Sequence, residues 1–201
     1  MPVEIHFSRP HGYFIGVSPL LPLVLLIAVG PLIGCGDSPV EKLAADLKSS
    51  DPEDRYDAVK ELEEYADDAA VALPELIAAL ADPNAKVRYR AAKVLSKMES
   101  DAAPAAEAVA NAWESADADT RYYLLKTLAN IDSAAVVALP QLTEALKSKN
   151  PKLRYYAAKA IGEIGGEAKP AADALRVAVR DSDEKVRRAA GDALKTIENT
   201  H

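Results

Sequence analysis

Arginine stands at Arg55, Arg88, Arg121, Arg154 and Arg187, always at an interval of 33 residues. A fixed period of this length means one supersecondary unit stacked on copies of itself. Three residues after each arginine come Ala58, Ala91, Leu124, Ala157 and Ala190. Seven after come Leu62, Leu95, Leu128, Ile161 and Leu194, and ten after come Tyr65, Met98, Ile131, Ile164 and Ile197. Steps of 3, 7 and 10 trace one face of a helix. Four residues before each arginine stand Asp51, Asn84, Asp117, Asn150 and Asp183, a column of helix N-caps, with Pro52 and Pro151 where a first helical residue prefers proline. Each unit is therefore predicted to carry a helix of about 14 residues after its cap. A second helix per unit follows from two further columns. These are Leu43, Leu76, Val109, Leu142 and Leu175, and, four residues on, Leu47, Leu80, Trp113, Leu146 and Val179. Ser38-Pro39-Val40-Glu41 opens the first of these helices with the form of a capping box. Two helices per period, joined by short turns, stack into an α-solenoid.

The best-formed copy runs from Leu139-Pro140-Gln141-Leu142 to Asn150-Pro151-Lys152-Leu153-Arg154, then Ala157-Ala158 and Ile161-Gly162. These columns resemble HEAT repeats, in particular the short HEAT-like repeats of the phycobilisome-lyase kind. The resemblance implies an all-α, right-handed α-α solenoid of about five helix pairs. It also implies a polar ladder between repeats, built from the arginine and an aspartate six residues before it. Asp82 with Arg88 and Asp181 with Arg187 match, whereas Ser49, Ser115 and Ser148 occupy the aspartate position elsewhere. The ladder is thus expected to be broken. The five arginines read as structural, flanking the apolar stripe and donating to neighbouring turns; gripping an anion is the competing reading.

The residue after each arginine is Tyr56, Tyr89, Tyr122, Tyr155 and finally Arg188. At about 100° per residue this position lies about 160° from the alanine column, pointing away from its own unit's core. Beside it stand Asp57, Arg90, Tyr123, Tyr156 and Ala189, and four residues on stand Lys60, Lys93, Lys126, Lys159 and Asp192. In HEAT-like solenoids the second helices line the concave surface. The resemblance therefore places a tyrosine stripe with a lysine row on that surface. Tyrosine combines contact area with a polar tip and is frequent at binding hot spots. Tyr56, Tyr89, Tyr122, Tyr123, Tyr155, Tyr156, Lys93, Lys126 and Lys159 are the candidate partner-binding residues. Packing between neighbouring second helices is the other reading of the same stripe. Trp113 reads as core, Gly165-Gly166 as a turn between repeats, and the acidic runs Glu61-Leu62-Glu63-Glu64 and Asp67-Asp68 as solvated surface.

Residues 1–34 read as a leader. From Phe14 to Ile33 there is no charged residue, and Pro19, Pro22 and Pro31 interrupt the run. Each proline removes a donor and clashes with the preceding turn, so a buried helix rarely holds three, while a discarded signal segment tolerates them. The run ends in Leu32-Ile33-Gly34-Cys35, which resembles the lipobox of bacterial lipoproteins. That resemblance implies acylation of Cys35, cleavage after Gly34, a lipidated cysteine and tether over 35–39, and a repeat domain over 40–201. It implies a place in the bacterial cell envelope, anchored to a membrane by lipid on the exported side. An uncleaved anchor is the other reading, since the run approaches the ~20 residues a spanning helix needs.

Composition narrows the chemistry. The single cysteine excludes a disulfide framework and multi-cysteine metal sites. Of the three histidines, His6 and His11 lie in the leader and His201 ends the chain, so the fold offers no base near neutral pH. No catalytic residue, metal ligand set or cofactor is expected. A net charge of −7 argues against nucleic acid as the partner. Lys185, Arg187, Arg188, Asp192 and Lys195 give the last helix a polar outer face, as a monomeric solenoid end requires. The reading is a membrane-tethered interaction scaffold with an unidentified protein partner on its concave face. The alternative is an accessory subunit that binds a small ligand or glycan there.

Overall fold

The computed structural model of the protein describes Ser38–Asn199. The lipobox with Cys35, the leader before it, and His201 lie outside the described residues. Every one of the ten α-helices among the described residues falls into a helix pair. The first helices of the pairs are α1 (Pro39–Asp46), α3 (Leu73–Ala79), α5 (Ala106–Ala112), α7 (Leu139–Ala145) and α9 (Ala172–Ala178). The second helices are α2 (Pro52–Leu62), α4 (Ala85–Leu95), α6 (Ala118–Leu128), α8 (Pro151–Ile164) and α10 (Glu184–Asn199). Each second helix packs on the next, α2 on α4, α4 on α6, α6 on α8 and α8 on α10, which forms one layer of an all-α solenoid. The first helices, with the 3-10 segments that lead into α3, α5, α7 and α9, form the other layer.

The caps explain where the second helices begin. Asp51, Asn84 and Asn150 each accept from the backbone N–H two residues on, Asp117 from that of Thr120, and Asp183 from those of Lys185 and Val186. Ser38 and Glu41 complete a reciprocal capping box at α1. Where the second helices end differs from the sequence expectation. α2, α4 and α6 stop after 11 residues, α8 runs for 14 and α10 for 16. The cause lies in the turn that follows. Glu99, Asp132 and Gly165 share one phase of the repeat and all have positive φ, at 50°, 50° and 74°. Glycine takes this conformation freely, so α8 continues to the residue before it and then turns sharply. A side chain with a Cβ is strained there, and α4 and α6 loosen a turn earlier. In the first copy the break is at Tyr65, with φ −112° and ψ 24°.

The core is a set of columns rather than a centre. Leu62, Leu95, Leu128 and Ile161 of the second helices meet Leu76, Val109, Leu142 and Leu175 of the first, all buried. Two alanine columns seal the 3-10 segments: Ala69, Ala102, Ala135 and Ala168, and Ala72, Ala105, Ala138 and Ala171. Trp113 is 2% exposed and belongs to the core. Among the described residues no helix is long and apolar enough to cross a membrane.

Candidate functional site

The arginine column sorts into three kinds. Arg55 donates from Nε and Nη2 to Asp82 at 2.6 and 3.0 Å, and from Nη1 to the carbonyls of Ser49 and Ser50. Arg154 repeats this with Asp181, at 2.7 Å for both bonds, and with the carbonyls of Ser148 and Lys149. Each aspartate thus serves the arginine of the preceding unit with its carboxylate, and its own unit's arginine with its backbone carbonyl. Arg88 donates to the carbonyl of Asp82, and Arg187 to that of Asp181. Burial is the largest single influence on the Asp82 carboxyl and would raise it, but the Arg55 bonds, the Asn84 backbone N–H and the charges of Arg55 and Arg88 together hold it below its ordinary range. The Asp181 carboxyl is held down chiefly by Arg154. Arg121 has no aspartate. It donates to the Trp113 carbonyl at 3.1 Å and lies 4.6 Å over the Trp113 ring.

The junctions that lack this bidentate pair carry aromatic contacts on the second-helix face. Each tyrosine after an arginine meets the residue 34 positions later, on the next helix. Tyr89 meets Tyr123 at 5.4 Å between ring centroids, and Tyr122 meets Tyr156 at 5.4 Å. Within one helix Tyr122 meets Tyr123 and Tyr155 meets Tyr156, both at 5.0 Å. All four contacts are edge-to-face, a favourable geometry for aromatic pairs. At the first junction the corresponding partner of Tyr56 is Arg90, 5.8 Å over its ring. At the last junction the corresponding residue is Ala189, which has neither ring nor cation to set against Tyr155.

The stripe is half-buried, where the helical wheel alone points it away from the core. The wheel accounts for one helix pair, whereas the neighbouring second helix covers the flank of each ring. Tyr123 and Tyr156 are pushed up to about 12, first by burial and then by the neighbouring phenols of Tyr89 and Tyr122. Both therefore stay protonated and keep an O–H to donate. Of the lysine row, Lys93 pairs with Glu63 at 2.8 Å and Lys159 donates to Asn130 at 3.4 Å. Lys126 lies half-buried without an ion pair among the described residues and lines an open groove of about 420 Å³ with Glu63, Ser96, Lys97 and Asn130.

Glu63 corrects the sequence reading. The acidic run containing it was expected to be solvated, but Glu63 is 9% exposed. Its carboxylate receives Arg90 at 2.8 Å, Lys93 at 2.8 Å and Lys97 at 3.0 Å, all from the next unit. Burial opposes its ionisation, and the three cations more than compensate, drawing it down to about 2. A signal for this was present: the same phase holds Ser96, Ala129 and Gly162 in later copies. A glutamate in a small-residue column, with cations 27, 30 and 34 positions on, reads as a buried ion cluster.

Stacked helix pairs with one continuous face of repeated side chains define an α-solenoid repeat protein. The chain belongs to the HEAT repeats family, which matches residues 40–112 and 105–195. No match was found among the curated proteins. Among solved structures, the chain is similar to an engineered protein from the Northeast Structural Genomics Consortium, at 24% identity and TM-score 0.70, covering 79% of each chain. It is similar to a designed armadillo repeat protein in complex with the peptide (KR)4, at 18% identity and TM-score 0.68, covering 77% of this chain and 80% of that one. It is also similar to the CpcE–CpcF complex of phycocyanin lyase from Nostoc sp. PCC7120, at 24% identity and TM-score 0.60, covering 91% and 70%. These likenesses establish the fold.

Proposed function

We propose that this protein is a membrane-tethered, exported scaffold that binds a protein partner on its second-helix face and has no catalysis of its own. The observation that carries the binding reading is the unbroken seam from Tyr89 through Tyr123, Tyr122 and Tyr156 to Tyr155, bordered by lysines. Half-buried phenols give rigid contact area with polar tips, which suits a protein surface. The designed armadillo protein in complex with a peptide supports the view that such a solenoid can present a binding face. Non-catalytic action is supported by the chemistry of the repeat domain. Its hydroxyl groups have no imidazole to activate them among the described residues, and no three or more ligating side chains cluster there. The tether rests on Leu32-Ile33-Gly34-Cys35. Two or more acyl chains at Cys35 would hold the domain stably at a membrane.

Two measurements test this. Metabolic labelling with a fatty acid in a bacterial host should mark the wild-type chain and leave Cys35→Ser unmarked and unanchored; an unlabelled wild type refutes the tether. A photo-cross-linking residue placed at Lys126 should capture a discrete envelope protein that the same residue at Glu107, on a first helix, does not. Equal capture from both positions removes the second-helix face as the binding surface.

A further inference from the structure

On α4, the residues Lys86, Tyr89, Arg90 and Lys93 are spaced i, i+3, i+4 and i+7, so they share one face. On α8, Lys152, Tyr155, Tyr156 and Lys159 repeat the pattern, and on α6 the same places hold Asp119, Tyr122, Tyr123 and Lys126. The tyrosine seam is therefore bordered on both sides. Lys86, Asp119 and Lys152 form one edge, and Lys93, Lys126 and Lys159 form the other. Lys93 is engaged by Glu63. Lys86, Lys126, Lys152 and Lys159 make no ion pair among the described residues. Four uncompensated cations against one carboxylate make this strip positive on a chain whose net charge is −7. Charge segregated against the sign of the whole molecule selects a partner of opposite charge.

Dimensions select its shape. Seven residues along a helix separate the two edges by about 10 Å, at about 1.5 Å per residue. An α-helical ligand about 10–12 Å across would ride on the lysines without reaching the rings. An extended strand lies between them. Neighbouring helices stand about 8–10 Å apart, which is about three residues of strand at about 3.3 Å each. The ring faces also discriminate. At interplanar angles of 81° and 86° between adjacent helices, one ring of each pair turns its edge to a face of the other, so the seam offers a base fewer open ring faces than a row of parallel rings would. Single-stranded nucleic acid, which binds by stacking, is therefore disfavoured relative to polypeptide.

We propose that the second-helix face of α4, α6 and α8 binds an extended acidic segment of a partner protein. Its carboxylates meet Lys86, Lys126, Lys152 and Lys159, and its apolar side chains lie along the tyrosine seam. One apolar anchor sits beside Tyr155, where α10 brings the small side chain of Ala189 in place of a ring or cation. The proposal rests on the scaffold reading above and gives its partner a chemistry.

The test uses the full chain in non-ionic detergent and fluorescence anisotropy. The probe is a labelled peptide of about nine residues, long enough at about 3.3 Å each to cross three helices, with glutamate at every third place and leucine between. The comparison ligands are the same peptide with lysine for glutamate, and a thymidine oligomer of equal length. The glutamate peptide should bind, and Lys126→Glu and Lys152→Glu should each weaken it about tenfold, with circular dichroism unchanged. Lys152 is exposed, so its reversal leaves the core intact. Equal or tighter binding of the lysine peptide or the oligomer overturns the proposal, as does unaltered binding by both variants. If the glutamate peptide fails while the cross-linker at Lys126 still captures a protein, the acidic-segment proposal falls and the scaffold reading stands. If the peptide binds but no protein is captured from Lys126, the chemistry of the face holds and the scaffold reading falls.

Discussion

Replacing Glu63 by glutamine tests the ion cluster that joins the first two repeats. Glutamine keeps the shape and removes the charge, leaving Arg90, Lys93 and Lys97 facing a neutral amide. The Glu63 carboxyl falls from 4.5 to about 2 in the folded chain. At about 1.36 kcal/mol per tenfold change in proton affinity, that is about 3 kcal/mol at neutral pH. Lys97 is 40% exposed, and solvent screens part of its share, so about 2 kcal/mol is the expected loss. The folded carboxyl is depressed, so its stabilisation is complete above the unfolded value near 4.5 and disappears as pH falls through about 2. Glu63→Gln and wild type should therefore differ most above about pH 5 and converge near about pH 2. In a chain of this size, about 2 kcal/mol lowers the melting temperature by about 4–8 °C. A solenoid is held by nearest-neighbour interfaces, so the loss falls mainly on one end. Hydrogen exchange should show α1 and α2 opening faster in the variant, with α8 and α10 unchanged. A shift below about 0.5 kcal/mol, or a difference that persists unchanged at about pH 2, refutes the cluster as a stabilising interface.

The remaining predictions concern the repeat scaffold. Arg154→Ala breaks a bidentate pair with Asp181 and two bonds to carbonyls; chemical denaturation should show a loss of about 3 kcal/mol. Arg121→Ala loses one carbonyl bond and a ring contact, so about 1–2 kcal/mol is expected, and equal losses for the two variants contradict the assigned contacts. Glu99→Gly and Asp132→Gly relieve positive φ at 50° and should each raise stability by about 0.5–1 kcal/mol, read as a higher melting temperature. Gly162→Ala places a Cβ 3.2 Å from Ala193 on the facing helix; a loss of about 1 kcal/mol is expected in the same melt.

Much of the fold is legible because a column of five equal choices averages out the ambiguity of any one copy. The caps at Asp51, Asn84, Asp117, Asn150 and Asp183 set every second-helix start. The alanine columns at Ala69 and Ala72 and their copies are not distinctive in the sequence. Alanine is common on any helix, and only the stacked layers show that nothing larger fits. The 3-10 segments were equally hidden, since a helical period does not separate the two kinds of helix. At the candidate site, the sequence places the tyrosines on one stripe and leaves binding and packing between helices both open, without saying which ring meets which. That contact needs the offset of 34 between adjacent helices, one residue more than the repeat itself, which comes from packing. Glu63 is hidden for the opposite reason: its neighbours in sequence are acidic, while its partners come from the next unit.

Binding and packing are not rival explanations of the tyrosines. The first and fourth junctions have a part-buried guanidinium–carboxylate pair, Arg55 with Asp82 and Arg154 with Asp181. The second and third have Ser115 and Ser148 at the aspartate position, and these are the junctions where ring meets ring, Tyr89 with Tyr123 and Tyr122 with Tyr156. An aromatic pair contributes about 0.5–1.5 kcal/mol beyond its buried area, comparable to a modest polar bond. The central tyrosines therefore help to hold the middle of the solenoid together through edge-to-face contacts while staying half-exposed on the second-helix face. Removing Tyr122 or Tyr123 weakens a junction and a face at once, and a lost partner in such a variant says nothing about contact. The bordering lysines carry no such double duty at Lys126 and Lys152. Reversing their charge changes what the face attracts and leaves the ring seam in place, so it separates recognition from assembly.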